Sequence, residues 1–323
     1  MRCLALAQAW QDAGGHAVFA VADLPAPLEK KLRVEGAQLV RVTATPGSIE
    51  DAKSTIQAAS ELSADWVVVD GDRFNVNFLF AVQSAGPRVL LIDDFASREA
   101  FPSDLVVNPN LGATEERYRR QGFSGPLLLG ECYVLLRREF ICRNRSLEFP
   151  EMGTKVLVAM GGSDPENLAP RIVESLRCVQ GLQVTLVVGV AYPQVEELQR
   201  LDVPNLRIVF NASNMQELME WADLAIIAAG GTLWELLYMG CAVLSYSRNW
   251  VQASVVQELA QMGAVRNLGE TEAFEGARLA TAVRDLVHSR QLRMQMANTG
   301  RHLVDGKGSD RVLRAMREKP RGV

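Results

Sequence analysis

The sequence predicts an α/β protein whose parallel strands are covered by helices on both faces. Apolar runs typical of strands alternate with segments of helical periodicity along the whole chain, and such alternation indicates parallel sheets. The runs are almost continuously apolar, as expected for strands that are buried on both faces. Ten strands follow from this pattern, at 17–21, 38–42, 66–70, 89–93, 105–108, 155–160, 184–188, 206–210, 224–228 and 242–246. Helices are expected between them, for example at 1–13, 48–62, 165–178, 215–221, 232–239 and 251–262.

The length of the chain predicts two domains. A chain of 323 residues exceeds one typical domain, and the polar stretch 143–154 is expected to link two halves that share a layout. We therefore predict Rossmann-like domains at 1–147 and 148–304, followed by a short basic helix and a tail at 305–323.

The composition excludes several classes of partner. The net charge is −4 and no basic stripe with interleaved aromatic residues occurs, so nucleic acid is not expected. No apolar run reaches the roughly 20 residues of a membrane-spanning helix. The five cysteines are scattered without paired or metal-binding spacing, which predicts reduced thiols in a cytoplasmic protein. We expect a monomer that needs neither a metal nor a cofactor.

One predicted strand ends in a glycine pair that opens a helix. Gly230 and Gly231 follow the strand 224–228, and the next helix is expected to begin at Thr232 with Glu235 on its first turn. A helix that opens in this way leaves backbone N–H groups free, and together with the positive end of the helix dipole they suit a phosphate. The alternative is a turn without a ligand, because glycine pairs also allow tight packing in parallel sheets.

A second glycine pair repeats this arrangement. Gly161 and Gly162 follow another predicted strand, and Ser163 or Asp164 is the expected N-cap of a helix with Pro165 in its first turn. Two such turns in one half of the chain favour a diphosphate as the ligand.

Carboxylates follow two strands of the other half, at the edge where open α/β sheets bind ligands. Asp70 and Asp72 follow one strand, and Asp93 and Asp94 follow the next. These side chains would orient a water molecule or a substrate amide. The alternative is that they cap helices and solvate loops.

Segments from nearly the whole chain, in matching order, carry a family resemblance. They include MRCLALAQAW (1–10), VVVDGDRF (67–74), LLIDDFA (90–96), VLVAMGGSDPEN (156–167), GGTLWELLYMG (230–240) and DGKGSDR (305–311). They resemble the nucleotide-sugar hydrolases of pseudaminic acid biosynthesis, the PseG family, and the related spore coat polysaccharide proteins. The resemblance implies the GT-B fold, in which the substrate lies between two Rossmann-like domains, as in the peptidoglycan glycosyltransferase MurG.

The resemblance implies hydrolysis of a UDP-linked 2,4-diacetamido-2,4,6-trideoxy sugar. Water attacks the anomeric carbon, the C1–O bond breaks with inversion, and UDP leaves without a metal. Glu235 would hold the uridine ribose, while the glycine turns with Ser163 and Thr232 would hold the diphosphate and stabilise its growing charge. Asn249 matches the asparagine of an Asp-Asn-Gln turn near the substrate of this family.

The sequence departs from the family at its catalytic base. The family has a Gly-x-Gly-His loop before the Met-Arg-Cys that begins this sequence, and His16 does not replace that histidine. We hypothesise that the true N-terminus lies upstream, together with a central strand of the first domain. Because the family's histidine is absent, no catalytic residue is certain, and the candidates are Asp70, Asp72 and Asn249. The family commonly has a tyrosine at the position of Asp72.

Two other functions share the predicted nucleotide site. A GT-B glycosyltransferase would pass the sugar to an acceptor other than water, and a non-catalytic protein would bind the nucleotide sugar without cleaving it. The sequence contains no evident amphipathic membrane-docking segment, which favours water as the acceptor.

Overall fold

The computed structural model describes residues 1–142, 148–201 and 203–318. The chain divides into two compact units, Met1–Arg138 with Gly306–Val323, and Glu139–Asp305. Part of the predicted linker 143–154 and the last five residues of the predicted tail lie outside the described residues. The domain boundary at 147/148 therefore stays a prediction.

The first unit alternates helices and strands, as its sequence predicts. In chain order the elements are α1 (Arg2–Asp12), β1 (Val18–Val21), α2 (Ala26–Val34), β2 (Gln38–Arg41), α3 (Ile49–Glu61), β3 (Trp66–Asp70), α4 (Val76–Ser84), β4 (Arg88–Ile92), β5 (Leu105–Asn108), α5 (Glu115–Arg120), β6 (Leu127–Leu129) and α6 (Arg138–Ile141), which crosses into the second unit.

Within the described residues, the first unit contains two parallel sheets instead of one. β1 pairs with β2, and β3, β4, β5 and β6 form a second sheet in that order. In the described part of the chain, β1 and β3 each pair along one side. The hypothesis that an upstream segment supplies a central strand of this half stays a prediction.

Helix α1 packs against both of these sheets. Leu4 lies among apolar residues of β1, α2 and β2, whereas Ala5 and Leu6 lie among residues of β4 and β5. The five consecutive residues 4–8 are buried, as a helix between two apolar surfaces requires. α1 therefore joins the two sheets into one unit.

The second unit has the same alternating order. Its elements are β7 (Lys155–Ala159), α7 (Leu168–Leu176), β8 (Gln183–Val188), α8 (Val195–Gln199), β9 (Leu206–Phe210), α9 (Met215–Trp221), β10 (Leu224–Ala228), α10 (Gly231–Met239), β11 (Ala242–Ser247), α11 (Trp250–Gln261), β12 (Val265–Glu270), α12 (Gly276–His288) and α13 (Arg290–Leu303); α14 (Gly308–Arg317) follows and packs on α1 in the first unit. Within the described ranges, no helix is both long and apolar enough to cross a lipid bilayer.

The described strands of the second unit form one six-stranded parallel sheet in the order β12-β11-β10-β7-β8-β9. From β7 the chain adds β8 and β9 on one side, and from β10 it adds β11 and β12 on the other side. The direction of strand order therefore reverses between the neighbours β7 and β10. Open α/β sheets bind ligands at the carboxyl ends of their strands at such a switch point. The topology therefore directs attention to the residues that follow β7 and β10.

All ten predicted strands are present, each within one residue of its predicted ends, and the structure adds β6 and β12. The strand interiors carry the core, in which residues such as Leu157, Leu186 and Ile226 are fully buried. The near-continuous apolar runs thus do mark parallel strands covered on both faces.

A buried arginine ties the end of α12 to the residues before β7. Arg293 on α13 is fully buried and donates to the carbonyl oxygens of Leu286, Val287, Pro150 and Glu151. Burial lowers the pKa of Arg293, and these hydrogen bonds are what make a buried guanidinium tolerable.

Candidate functional site

The two glycine pairs lie on neighbouring strands at the switch point of the second unit. Gly161 and Gly162 begin two residues after the end of β7, and Gly230 and Gly231 begin two residues after the end of β10. β7 and β10 pair in parallel register, and neighbouring strands lie about 4.8 Å apart. One diphosphate is long enough to contact both turns.

Three of these four glycines have no conformational or packing requirement for glycine in the protein itself. A Cβ atom on Gly162, Gly230 or Gly231 would have no described atom within 4 Å, and none of the three has a positive φ. Gly161 differs, because its φ of +89° lies in the left-handed region. All four residues are exposed. Tight packing is therefore not the reason for glycine at positions 162, 230 and 231, and close approach of a ligand is the remaining explanation.

Helix α10 directs an uncapped N-terminus to this site. It begins at Gly231, one residue earlier than predicted, with Gly230 at the N-cap, and no described side chain caps it. Its first N–H groups therefore remain available to an anion. Thr232 is the second residue of the helix and is half-buried.

The prediction that Glu235 lies on the first turn of this helix is wrong. Because α10 begins at Gly231, Glu235 is its fifth residue, and it is 9% exposed. The carboxylate is largely enclosed by protein. Its predicted hydrogen bonds to a ribose stay a prediction.

The turn after β7 is longer than predicted. α7 begins at Leu168 instead of Pro165, because Asp164 and Asn167 adopt left-handed conformations with φ of 41° and 48° that interrupt the helix. The Asp164 carboxylate still accepts a hydrogen bond from the N–H of Ala169 at 2.8 Å, as a cap would. Ser163, the other predicted cap, is exposed. Non-glycine residues with such dihedrals cost about 1–3 kcal/mol and persist where the surroundings hold them, so this turn is preformed.

A third glycine supports the turn from behind. A Cβ on Gly189, which follows β8, would lie 2.3 Å from the carbonyl oxygen of Gly162. The same oxygen accepts a hydrogen bond from the N–H of Ala191 at 3.1 Å. Close backbone approach at Gly189 thus fixes the position of Gly162.

In the first unit, an arginine that the sequence analysis missed brings two of the predicted carboxylates together. Arg2 at the start of α1 pairs with Asp70 and with Asp94, each at 2.5 Å. Burial alone would lower the pKa of Arg2, but the hydrogen bonds and charges of Asp94 and Asp70 raise it above its ordinary value. Asn110 also donates to Asp94, at 3.1 Å. Asp70 is therefore held as a charged partner of Arg2.

The other two carboxylates of this edge differ from each other. Asp93 is buried and accepts hydrogen bonds from the N–H of Ala96 and the hydroxyl of Tyr118. Asp93 therefore stabilises its loop, in agreement with the structural alternative given for these carboxylates. Asp72 is exposed, and no ion pair forms to it among the described residues. Asp72 is thus the more accessible of the predicted acidic candidates.

Asn249 caps a helix. It precedes α11, and its side-chain oxygen accepts a hydrogen bond from the N–H of Gln252 at 3.0 Å. This oxygen is therefore engaged, and a catalytic role for Asn249 stays a prediction. His16 is exposed in the loop before β1. Among the residues that the structure describes, no three His, Cys, Asp or Glu side chains converge as metal ligands.

Comparisons with known proteins agree with this fold. The C-terminal domain of glycosyltransferase family 28 matches residues 156–307, a range that contains both glycine turns. The spore coat polysaccharide biosynthesis protein SpsG of Bacillus subtilis is 28% identical over 236 residues, which cover 72% of this chain and 69% of SpsG.

Solved structures share the fold over almost the whole chain. MurG of Acinetobacter baumannii superposes with a TM-score of 0.67 at 18% identity, over 98% of this chain and 95% of MurG. The UDP-GlcNAc 2-epimerase of Neisseria meningitidis, solved with UDP-GlcNAc bound, gives a TM-score of 0.69 at 14% identity, over 98% and 96% of the two chains. The protein is therefore a homologue of SpsG with the GT-B fold of two Rossmann-like domains, and its second half is similar to the C-terminal domain of glycosyltransferase family 28.

Proposed function

We propose that the second unit binds the UDP moiety of a nucleotide sugar, with the diphosphate on the two glycine turns. The observation that carries this proposal is the set of three exposed glycines that neither packing nor dihedral angles require. Their bare Cα atoms let an anion approach the backbone N–H groups, and the N-terminus of α10 adds its dipole. The UDP-GlcNAc bound to the Neisseria epimerase supports a nucleotide sugar as the ligand, and the name of SpsG places that relative in polysaccharide biosynthesis.

We further propose that the reaction is hydrolysis of a UDP-linked 2,4-diacetamido-2,4,6-trideoxyhexose, as the sequence resemblance implies. The oxygen of water forms a bond to C1 with inversion, the C1–O bond breaks, and its electron pair moves to the β-phosphate oxygen of UDP. The N–H groups of the glycine turns stabilise that charge as it develops. The free sugar is then available for nonulosonate biosynthesis of the pseudaminic acid type.

The acidic candidates divide into two roles under this proposal. Asp72, which is exposed, accepts a proton from the attacking water, and Asp70 holds Arg2 in place. A positioned general base contributes about 10²–10⁴-fold to the rate. Asp72→Asn should therefore lower the rate of UDP release by about this factor while UDP affinity stays within twofold.

The experiment is incubation of the protein with the UDP-sugar in ¹⁸O-labelled water. UDP release without an added acceptor, with ¹⁸O in the sugar and none in UDP, would support hydrolysis at C1. ¹⁸O in the phosphate would refute cleavage of the C1–O bond. Failure of UDP to bind in a calorimetric titration would refute the nucleotide site itself.

A glycosyltransferase is the second candidate, and the match to glycosyltransferase family 28 favours it. UDP release that depends on an added acceptor would establish it. Binding of the UDP-sugar without release under either condition would identify a binding protein. Among the described residues, none of the five cysteines forms a disulfide, which supports our proposal of a cytoplasmic protein. We also propose that the protein acts as a monomer, which sedimentation would test.

A further inference from the structure

Arg248 lies across the switch point of the second unit. It comes directly after β11, and its Nη2 donates to the carbonyl oxygen of Met160, directly after β7. β10 lies between β11 and β7 in the sheet. The side chain therefore passes over the carboxyl end of β10, where the second glycine turn begins.

One nitrogen of this guanidinium faces the first glycine turn. Nε donates to Glu166 at 3.0 Å, and Nη2 also lies 3.4 Å from a carboxylate oxygen of Asp164. Nη1 has no hydrogen-bond partner among the described residues, and it lies 3.1 Å from the position that a Cβ on Gly161 would occupy. An unused donor thus points at the bare side of a glycine.

The two carboxylates around Arg248 differ in burial. The side chain of Asp164 is 4% exposed and also caps the N–H of Ala169, so it anchors the guanidinium. The side chain of Glu166 is 29% exposed and accepts from Nε. An anion that entered the turn would be attracted by Arg248 and repelled by Glu166.

We infer that Arg248 is a ligand of the diphosphate and that Glu166 competes with the diphosphate for it. This inference rests on the proposed function, because it assumes a diphosphate on the glycine turns. Nη1 donates to a phosphate oxygen at Gly161, while Asp164 keeps the guanidinium in position. Arginine suits this role because its planar fork of donors serves a carboxylate and a phosphate at the same time.

The test compares UDP and uridine binding in four variants. Arg248→Gln removes the charge and should weaken UDP binding about 10- to 150-fold, the effect of one charge-assisted hydrogen bond. Uridine, titrated by NMR, should bind within twofold of the unaltered protein because it has no phosphate. Arg248→Lys retains the charge and should recover part of the lost UDP affinity.

Glu166→Gln removes the competing carboxylate and should tighten UDP binding. Arg266→Gln is the matched control, because the exposed side chain of Arg266 on β12 pairs with Asp285 on α12, and it should leave UDP affinity unchanged.

The sign of the Glu166→Gln effect separates a ligand from a structural residue. If Arg248 and Glu166 only brace the turn, both substitutions weaken UDP binding, and the inference is overturned. It is also overturned if Arg248→Gln keeps the UDP affinity of the unaltered protein, or if it weakens UDP and uridine equally. If the unaltered protein fails to bind UDP, the proposed function and this inference are both overturned. If the unaltered protein binds UDP and the Arg248→Gln variant binds it equally well, only this inference is overturned.

Discussion

Substitution of Gly231 by alanine should raise stability and lower nucleotide affinity. Gly231 is the first residue of α10, and a Cβ there meets no described atom within 4 Å. Alanine in a compatible conformation raises the free energy of unfolding by about 0.4–1 kcal/mol. For a unit of this size that gain corresponds to a rise in Tm of roughly 1–4 °C.

If the diphosphate binds as we propose, the same methyl group would occupy the space in which a phosphate oxygen approaches the backbone. Loss of one charge-assisted hydrogen bond costs about 1.5–3 kcal/mol, so the Kd for UDP should increase about 10- to 150-fold. Calorimetric titration with UDP and thermal unfolding without ligand measure the two effects on the same protein.

Gly276→Ala is the matched control. Gly276 is also the first residue of a helix, but its Cβ would lie 2.4 Å from Oγ of Ser175. We expect no gain in Tm and an unchanged Kd for UDP. Unchanged UDP affinity in Gly231→Ala would refute the placement of the diphosphate, and a lower Tm in that variant would show that packing requires the glycine.

Three further substitutions test the second unit. Gly189→Ala should lower the free energy of unfolding by about 1–3 kcal/mol in urea and weaken UDP binding, because it displaces Gly162; an unchanged urea midpoint would contradict this. Arg293→Met should cost about 2–5 kcal/mol, since buried carbonyl groups lose their donor, and full stability in the same assay would count against it. Burial raises the pKa of Tyr246 to about 12, whereas an unfolded tyrosine titrates near 10. The unfolded state thus loses its proton first, so stability should fall between about pH 10 and pH 12, and Tyr246→Phe should flatten that slope. An unaltered slope in this variant would show that another group causes the fall.

The sequence predicts the buried strands well and the marginal strands poorly. Parallel strands covered on both faces are runs of apolar residues, as in 224–228, and this signal is local. β6 has three residues, too few for a periodic pattern. β12 is an edge strand that mixes polar and apolar residues, contains Gly269 and shifts register against β11 near Tyr246. Its half-exposed pattern resembles a loop.

In the candidate site, too, only features with a local sequence signal were predictable. The glycine turns are contiguous in the sequence, and they were predictable for that reason. Arg248 and Arg2 were missed because their partners lie far along the chain: Met160 is 88 residues from Arg248, and Asp94 is 92 residues from Arg2. One signal was present for Arg248, which is a cation two residues after the predicted strand 242–246 and next to Asn249. Its direction toward the first glycine turn follows from the strand order, which periodicity does not reveal.

The split sheet of the first unit has a consequence for how that unit opens. Leu4 is the α1 residue in the small cluster that covers β1 and β2, whereas the four-stranded sheet has a larger core of its own. Segments with fewer buried apolar contacts open at a lower free energy. Amide hydrogens in 18–41 should therefore exchange with solvent sooner than those of β4 and β5, so that residues 18–41 fluctuate as a separate cooperative segment while the rest of the unit, including α1, stays closed.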